Sequence, residues 1–231
     1  MTMDQKTNFK IKTSEKAAQL YLKNERFKIQ QLAEELETEP GKIFESFPNR
    51  NAILDYYYES RLLLLDDITQ KIEGFHKFTL SEKLSTVILT ILDLFQEHRE
   101  FVLETYRSRV ACRSNDRTGF NTGIKERVSE IFKSDSRIST FSGMVFQSLF
   151  ISLFTLHFHA IVRVWMNDKS DSMGTTMALV EKWTSLVQEI FYSAVIDKGF
   201  DLAKFIFNSS GFSDWVQSEN KNYQTGENKT V

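Results

Sequence analysis

The chain has 231 residues, 41% of them hydrophobic and 26% charged. This is enough for one large domain or a small and a larger one, and too apolar for a chain that stays unfolded. A net charge of −2 excludes broad, sequence-independent affinity for nucleic acid, so any such binding must come from local placement of charge. The single Cys, Cys112, excludes an intrachain disulfide framework and a Cys-based zinc site, and fits a reducing cytoplasm.

Two Pro and nine Gly leave long uninterrupted stretches, and such punctuation fits helices better than strands. Residues 1–12 are polar, carry Lys6, Lys10 and Lys12, and have no apolar core for a secretory signal; they read as a flexible arm. From Thr13 to about Asn24, Ala17, Ala18, Leu20 and Tyr21 recur at helical spacing, with Thr13 or Ser14 as N-cap. A second, short helix runs from about Lys28 to Leu36, with Ile29, Leu32, Ala33 and Leu36 on one face. After a turn at Glu37 and Thr38, a third helix begins near Glu39, capped by Thr38, with Pro40 in its first turn, and ends at Pro48.

Asn49 caps a long fourth helix that reaches about Ile72, and Gly74 stops it. Residues 81–98 and 100–112 read as the fifth and sixth helices. Residues 113–123, RSNDRTGFNTG, read as a loop, followed by a helix at about 124–133. The stretch 141–166 is long enough to span a membrane but contains Gln147, His157, His159 and Arg163. It reads as a helix buried on all sides in a soluble α-protein or dimer, so no membrane partner is expected. A polar loop at 167–172, a helix at about 173–196 and one or two short helices from Gly199 to about Gln217 complete the chain. The fold class is all-α, a small N-terminal bundle followed by a larger helical domain.

Residues 32–54, LAEELETEPGKIFESFPNRNAIL, carry the most specific pattern. They resemble, without gaps, the helix-turn-helix of the TetR family of bacterial regulators. Leu32 and Ala33 take its opening pair, Gly41 its glycine, Ile43 and Phe44 its aliphatic–aromatic pair, Phe47 its terminal aromatic, Arg50 its Lys, and Ile53 and Leu54 its closing pair. The chain departs from the pattern in four places. Glu37 replaces the turn glycine, where a residue needs positive φ. Glu39 replaces a small capping hydroxyl, Phe44 replaces a phosphate-binding Tyr, and Glu45 adds an acid on the recognition helix. Residues 1–60 hold nine Lys and Arg against ten Asp and Glu, a balance of −1.

The resemblance implies two segments, an N-terminal arm and DNA-binding domain at 1–50 and a ligand-binding and dimerisation domain at 51–218; the polar residues 219–231 read as a disordered tail. It implies DNA contacts by Lys28, Gln30, Gln31, Gly41, Lys42, Phe44, Glu45 and Arg50, because the second helix of such a motif lies in the major groove while flanking groups hold phosphates. It also implies a homodimer through the helices at about 141–166 and 173–196, a palindromic operator, and a cytoplasmic protein answering a small-molecule effector.

The remaining features have plainer readings. His157 and His159 lie two apart, roughly 200° around a helix, and cannot chelate one metal together. Phe146, Phe150, Phe154, Phe158 and Trp165 form an aromatic stripe, read as core or dimer seam. The alternative is a pocket for an apolar or aromatic effector, with Tyr106, Phe146 and Phe150 as walls and His157 as polar anchor. No catalytic motif is present, so neither an enzyme nor a cofactor is expected. A second reading of the whole is a protein of this fold that binds a lipid-like molecule and has lost DNA binding; the acidic head, Phe44 and the Phe-rich remainder favour it.

Overall fold

The computed structural model describes residues 4–111, 118–138 and 142–193, with 198–199, 201–202 and 204–205 beyond; of 142–146 it describes the backbone alone. Among the described residues there are nine α-helices and no strand: α1 (Gln5–Lys23), α2 (Ile29–Glu35), α3 (Pro40–Phe44), α4 (Arg50–Lys71), α5 (Leu80–Gln96), α6 (Arg99–Tyr106), α7 (Gly119–Lys133), α8 (Ser142–Asn167) and α9 (Gly174–Tyr192). A π-helical turn, Arg107–Ala111, continues α6. Cys112, the tail at 219–231 and most of the short helices expected after Gly199 lie outside the described residues.

α1 begins at Gln5, so the segment read as an arm is helical over most of its length. The Asp4 carboxylate accepts a hydrogen bond from Thr7 N at 2.6 Å and caps the helix, in place of Thr13 or Ser14. Those two residues are buried in mid-helix, where their hydroxyls donate to Phe9 O and Ile11 O. Ile11 and Ser14 extend the buried face towards the N-terminus, beyond the positions Ala17 to Tyr21 picked out from sequence. α1 packs along α4 and also meets α2 and α6.

α2 ends in a left-handed turn. Glu37 has φ 51°, its N–H donates to Glu34 O, and Thr38 N–H donates to Ala33 O at 3.0 Å. This is the double bond pattern that normally closes on glycine. A side chain there costs about 1 kcal/mol, so Glu37→Gly is expected to raise stability by about that amount, read as an increase in the urea midpoint. The cap of α3 is Glu39, not Thr38, and no side chain supplies its hydrogen bond; Pro40 follows at the first helical position.

α4 is the spine of the molecule. Asn49 Oδ1 accepts from Ala52 N at 3.0 Å to start it, and Gly74, with φ 74°, follows its end. Its buried residues, from Ile53 to Leu65, pack on α1 at one end and on α5 and α7 further along. Tyr58 is an aromatic hub, with Phe95, Phe101, Tyr106 and Phe120 rings between 5.8 and 6.4 Å away. Its phenol meets Thr105 Oγ1 at 2.7 Å, and burial pushes that phenol far above its ordinary pKa.

Thr79 and Glu82 form a reciprocal cap at the start of α5. α7 starts at Gly119, with Thr118 Oγ1 accepting from Asn121 N, so residues 119–123 are helical rather than loop. Gly123 is there for packing: a Cβ at that position would stand 2.7 Å from Leu62 Cδ1 on α4. Its glycine reads as a loop signal in sequence but serves close approach of two helices.

α8 is long and apolar enough to cross a membrane by length and composition. One side of it is core, with Phe154, Phe158, Val162 and Trp165 buried. The other exposes Leu149, Leu153 and Leu156, the last 64% exposed, so within a single chain the helix is buried on one side only. α9 exposes Met177, Leu186 and Ile190 in the same way. The Asp168 carboxylate accepts from Ser170 and Thr176 and holds the turn into α9, and those bonds keep it well below the usual carboxylate range.

Candidate functional sites at the two ends of the fourth helix

At the N-terminal end of α4, a shallow depression is lined by Phe27, Lys28, Ile29, Phe44, Asn49, Arg50 and Asn51. It brings together three residues singled out from sequence: Lys28, Phe44 and Arg50. Ile43 is fully buried and pins α3, while Phe44 is 54% exposed. Gly41, Lys42 and Glu45 are also exposed on α3, as are Gln30 and Gln31 on α2. Gln31 Oε1 accepts from Lys28 N at 2.8 Å, which ties the start of α2. A Cβ built at Gly41 meets nothing within 4 Å, so the molecule itself places no demand for glycine there.

The charges around this face are steered by rings. The Lys42 ammonium lies 5.0 Å from the Phe9 ring centre, and that of Lys10 lies 4.2 Å from Tyr56 and 5.3 Å from Phe47. Arg50 sits 5.6 Å from the Phe27 ring and reaches Phe27 O. Of the acidic run, Glu35 is paired with Lys16 at 2.8 Å, and that bond lowers its pKa. Glu34, Glu37, Glu39 and Glu45 are exposed.

Towards the other end of α4, a cavity of about 350 Å³ opens between α4, α5, α7 and the short turn after Gly74. Leu65, Phe75, Val87 and Ile131 give it apolar walls, and Asp66, Thr69, His76, Lys83, Arg127, Glu130 and Ser134 supply polar groups. Arg127 binds Asp66 with both arms, Nε to Oδ1 at 2.7 Å and Nη2 to Oδ2. Lys83 is 3% exposed. Its ammonium has no ion-pair or hydrogen-bond partner among the described residues. Sequence reasoning missed it; the only signal is that Lys83 falls in phase with Leu80, Leu84 and Val87 on the buried face of α5.

The effector residues expected from sequence lie elsewhere. Tyr106 is buried, with its hydroxyl 2.7 Å from His159 Nδ1. Phe150 belongs to a ring cluster with Phe132, Phe154, Trp183 and Phe191. His157 Nδ1 pairs with Leu153 O, and its ring lies 5.8 Å from Trp183. None of these three lines the cavity described above. The side chain of Phe146 lies outside the described residues. Arg109 is engaged by Asp55 at 2.9 Å and ties the turn after α6 to α4.

Between the two sites lies a buried polar node. Arg61 on α4 is fully buried; its Nη2 donates to Glu15 Oε1 at 2.6 Å and approaches Ser60 Oγ at 3.2 Å. Its Nη1 is 3.8 Å from Glu97, and the Tyr57 ring lies 4.6 Å from the guanidinium. Arg61 Nε and Nη1, Tyr57 Oη and His98 Nδ1 have no hydrogen-bond partner among the described residues. Burial, reinforced by the neighbouring guanidinium, lowers the His98 pKa.

The helices are therefore arranged around α4: α1 packs along it and meets the short α2, which packs with α3, while α5 and α7 pack on α4 further along. A family model described as "Tetracyclin repressor-like, C-terminal domain" matches residues 83–206, and the chain belongs to the TetR family, with that family's all-α fold. No curated protein matches the chain.

Proposed function

We propose that the protein is a ligand-responsive transcriptional regulator that acts in the cytoplasm and binds a palindromic operator as a homodimer. The observation that carries this reading is the presentation of α3: Ile43 is buried while Gly41, Lys42, Phe44 and Glu45 face outward. In a helix-turn-helix, this second helix enters the major groove. Lys28 and Arg50 each hold a phosphate, Lys42 lies beside the groove, and Gln30, Gln31 and Glu45 meet the backbone or base edges. The exposed leucines of α8 and the apolar residues of α9 support a four-helix interface with a second copy. α4 runs unbroken from Arg50 to Lys71, so an effector in the cavity that favours one head spacing changes operator affinity.

Selection of bound fragments from random DNA by the full-length protein tests the reading, and a palindromic consensus is the expected result. Binding to that consensus weakens linearly in log–log salt titration, with a shallow slope set by few phosphate contacts. Gly41→Glu is expected to leave thermal stability unchanged, because nothing stands near that Cβ, and to lower operator affinity at least about tenfold. No enriched sequence in the selection sinks the regulator.

The second reading, a ligand-binding protein of this fold without DNA affinity, draws on Glu34, Glu37, Glu39 and Glu45 at the head surface. Failure of the selection together with small-molecule binding favours it.

A further inference from the structure

We infer that the cavity between α4, α5 and α7 takes a small amphiphile carrying one carboxylate, with the Lys83 ammonium as its counter-ion. This deepens the effector half of the reading above and does not depend on operator binding. The Lys83 stem is buried on α5 while its ammonium opens to the cavity, so an anion brought there gives the ammonium a charge-assisted partner that no carboxylate among the described residues supplies. The other polar groups decide how much charge the ligand carries. Both arms of Arg127 are engaged by Asp66, so that guanidinium is already neutralised. The Thr69 hydroxyl donates to Leu65 O at 2.9 Å and that of Ser134 to Ile131 O at 3.0 Å, which directs their hydrogens to helix carbonyls rather than to a ligand.

Lys83 is thus the principal donor, and it matches one negative charge. Glu130 and His76 are exposed; the carboxylate of Glu130 disfavours a second anionic group, so a phosphate dianion or dicarboxylate is a poor fit. Leu65, Phe75, Val87 and Ile131 require the rest of the molecule to be apolar. A volume of about 350 Å³ lies in the range of small-ligand sites.

The test uses the full chain with octanoate and octan-1-ol, which differ in the head group and share an apolar body, in calorimetric titration and thermal melts without DNA. Octanoate is expected to bind at least about tenfold more tightly than octan-1-ol, the preference of a charge-assisted pair. Lys83→Met is expected to abolish that preference while octan-1-ol still binds, and to melt, without ligand, at or above the wild-type temperature. Four results each overturn the inference: equal binding of the two probes by the wild type, a preference that survives in Lys83→Met, no binding of either probe, or a variant that unfolds or melts lower. Failure to find an operator leaves all of these outcomes intact, so the two proposals fail separately.

Discussion

Glu15→Ala is expected to destabilise the protein by about 3 kcal/mol, whereas Arg61→Met is expected to change stability by less than about 1 kcal/mol. The asymmetry runs against exposure, since the Glu15 side chain is 29% exposed and that of Arg61 is fully buried. Removing Glu15 leaves a guanidinium inside the molecule with its best counter-charge gone; Glu97 stands 3.8 Å away and is itself 58% exposed. Removing Arg61 leaves Glu15 free to turn to water, and methionine fills most of the volume beside Tyr57. The pair is also imperfect as built, because Arg61 Nε and Nη1 lack hydrogen-bond acceptors among the described residues. Urea denaturation of both variants measures the effect, and a larger loss for Arg61→Met than for Glu15→Ala contradicts this account.

The second large effect is a pH dependence. Asp135, with a side chain 1% exposed, accepts from Arg137 Nε and Nη2 at 2.8 Å each, and from Tyr192 Oη at 2.6 Å. Tyr192 Oη in turn accepts from Leu80 N at 2.9 Å, so the carboxylate links the ends of α7 and α9 to the start of α5. Burial alone would raise the Asp135 pKa, but the bonds from Arg137 and Tyr192 outweigh it and bring it to about 2. Burial and the adjacent carboxylate push Tyr192 up to about 12.

A carboxyl with a folded pKa below its unfolded value stabilises at every pH above the unfolded value. The stabilisation is lost as pH falls through the folded value. Asp135 therefore contributes about 2 kcal/mol above pH 4, lost between about pH 4 and pH 2. Asp135→Asn is expected to lower stability at neutral pH by about that amount. The difference between wild type and variant closes as acid is added, and urea midpoints measured across that window check it. A difference that stays constant with pH rules out the linkage.

Sequence showed the frame and missed the polar interior. The Leu32–Leu54 pattern located α2, α3 and the start of α4, because buried apolar residues at helical spacing are visible without coordinates. It also placed the strained turn at Glu37, where the structure has φ 51°. The reach of α1 to Gln5 was hidden because Thr13 and Ser14 are cap formers by type and core residues in fact. The start of α7 was hidden because Gly119 and Gly123 read as loop. Lys83 and Arg61 are charged residues in phase with apolar faces, and phase alone does not distinguish a snorkelling side chain from a buried one. Sequence marked α8 as core or dimer seam but could not divide its apolar residues into the buried side and the side that exposes Leu149, Leu153 and Leu156, because both sides are apolar.

One consequence follows from the form of α4. It holds 22 residues without a Gly or Pro, a rod of about 33 Å, and so has no built-in place to kink. Such a rod acts as a lever. Tilting it by about 5° about the end beside the cavity would sweep Arg50 through about 3 Å. On the proposed reading as a regulator, that travel compares with the rise per base pair along a duplex axis, about 3.4 Å, so a small tilt at the Leu65 end would put the head out of step with its operator.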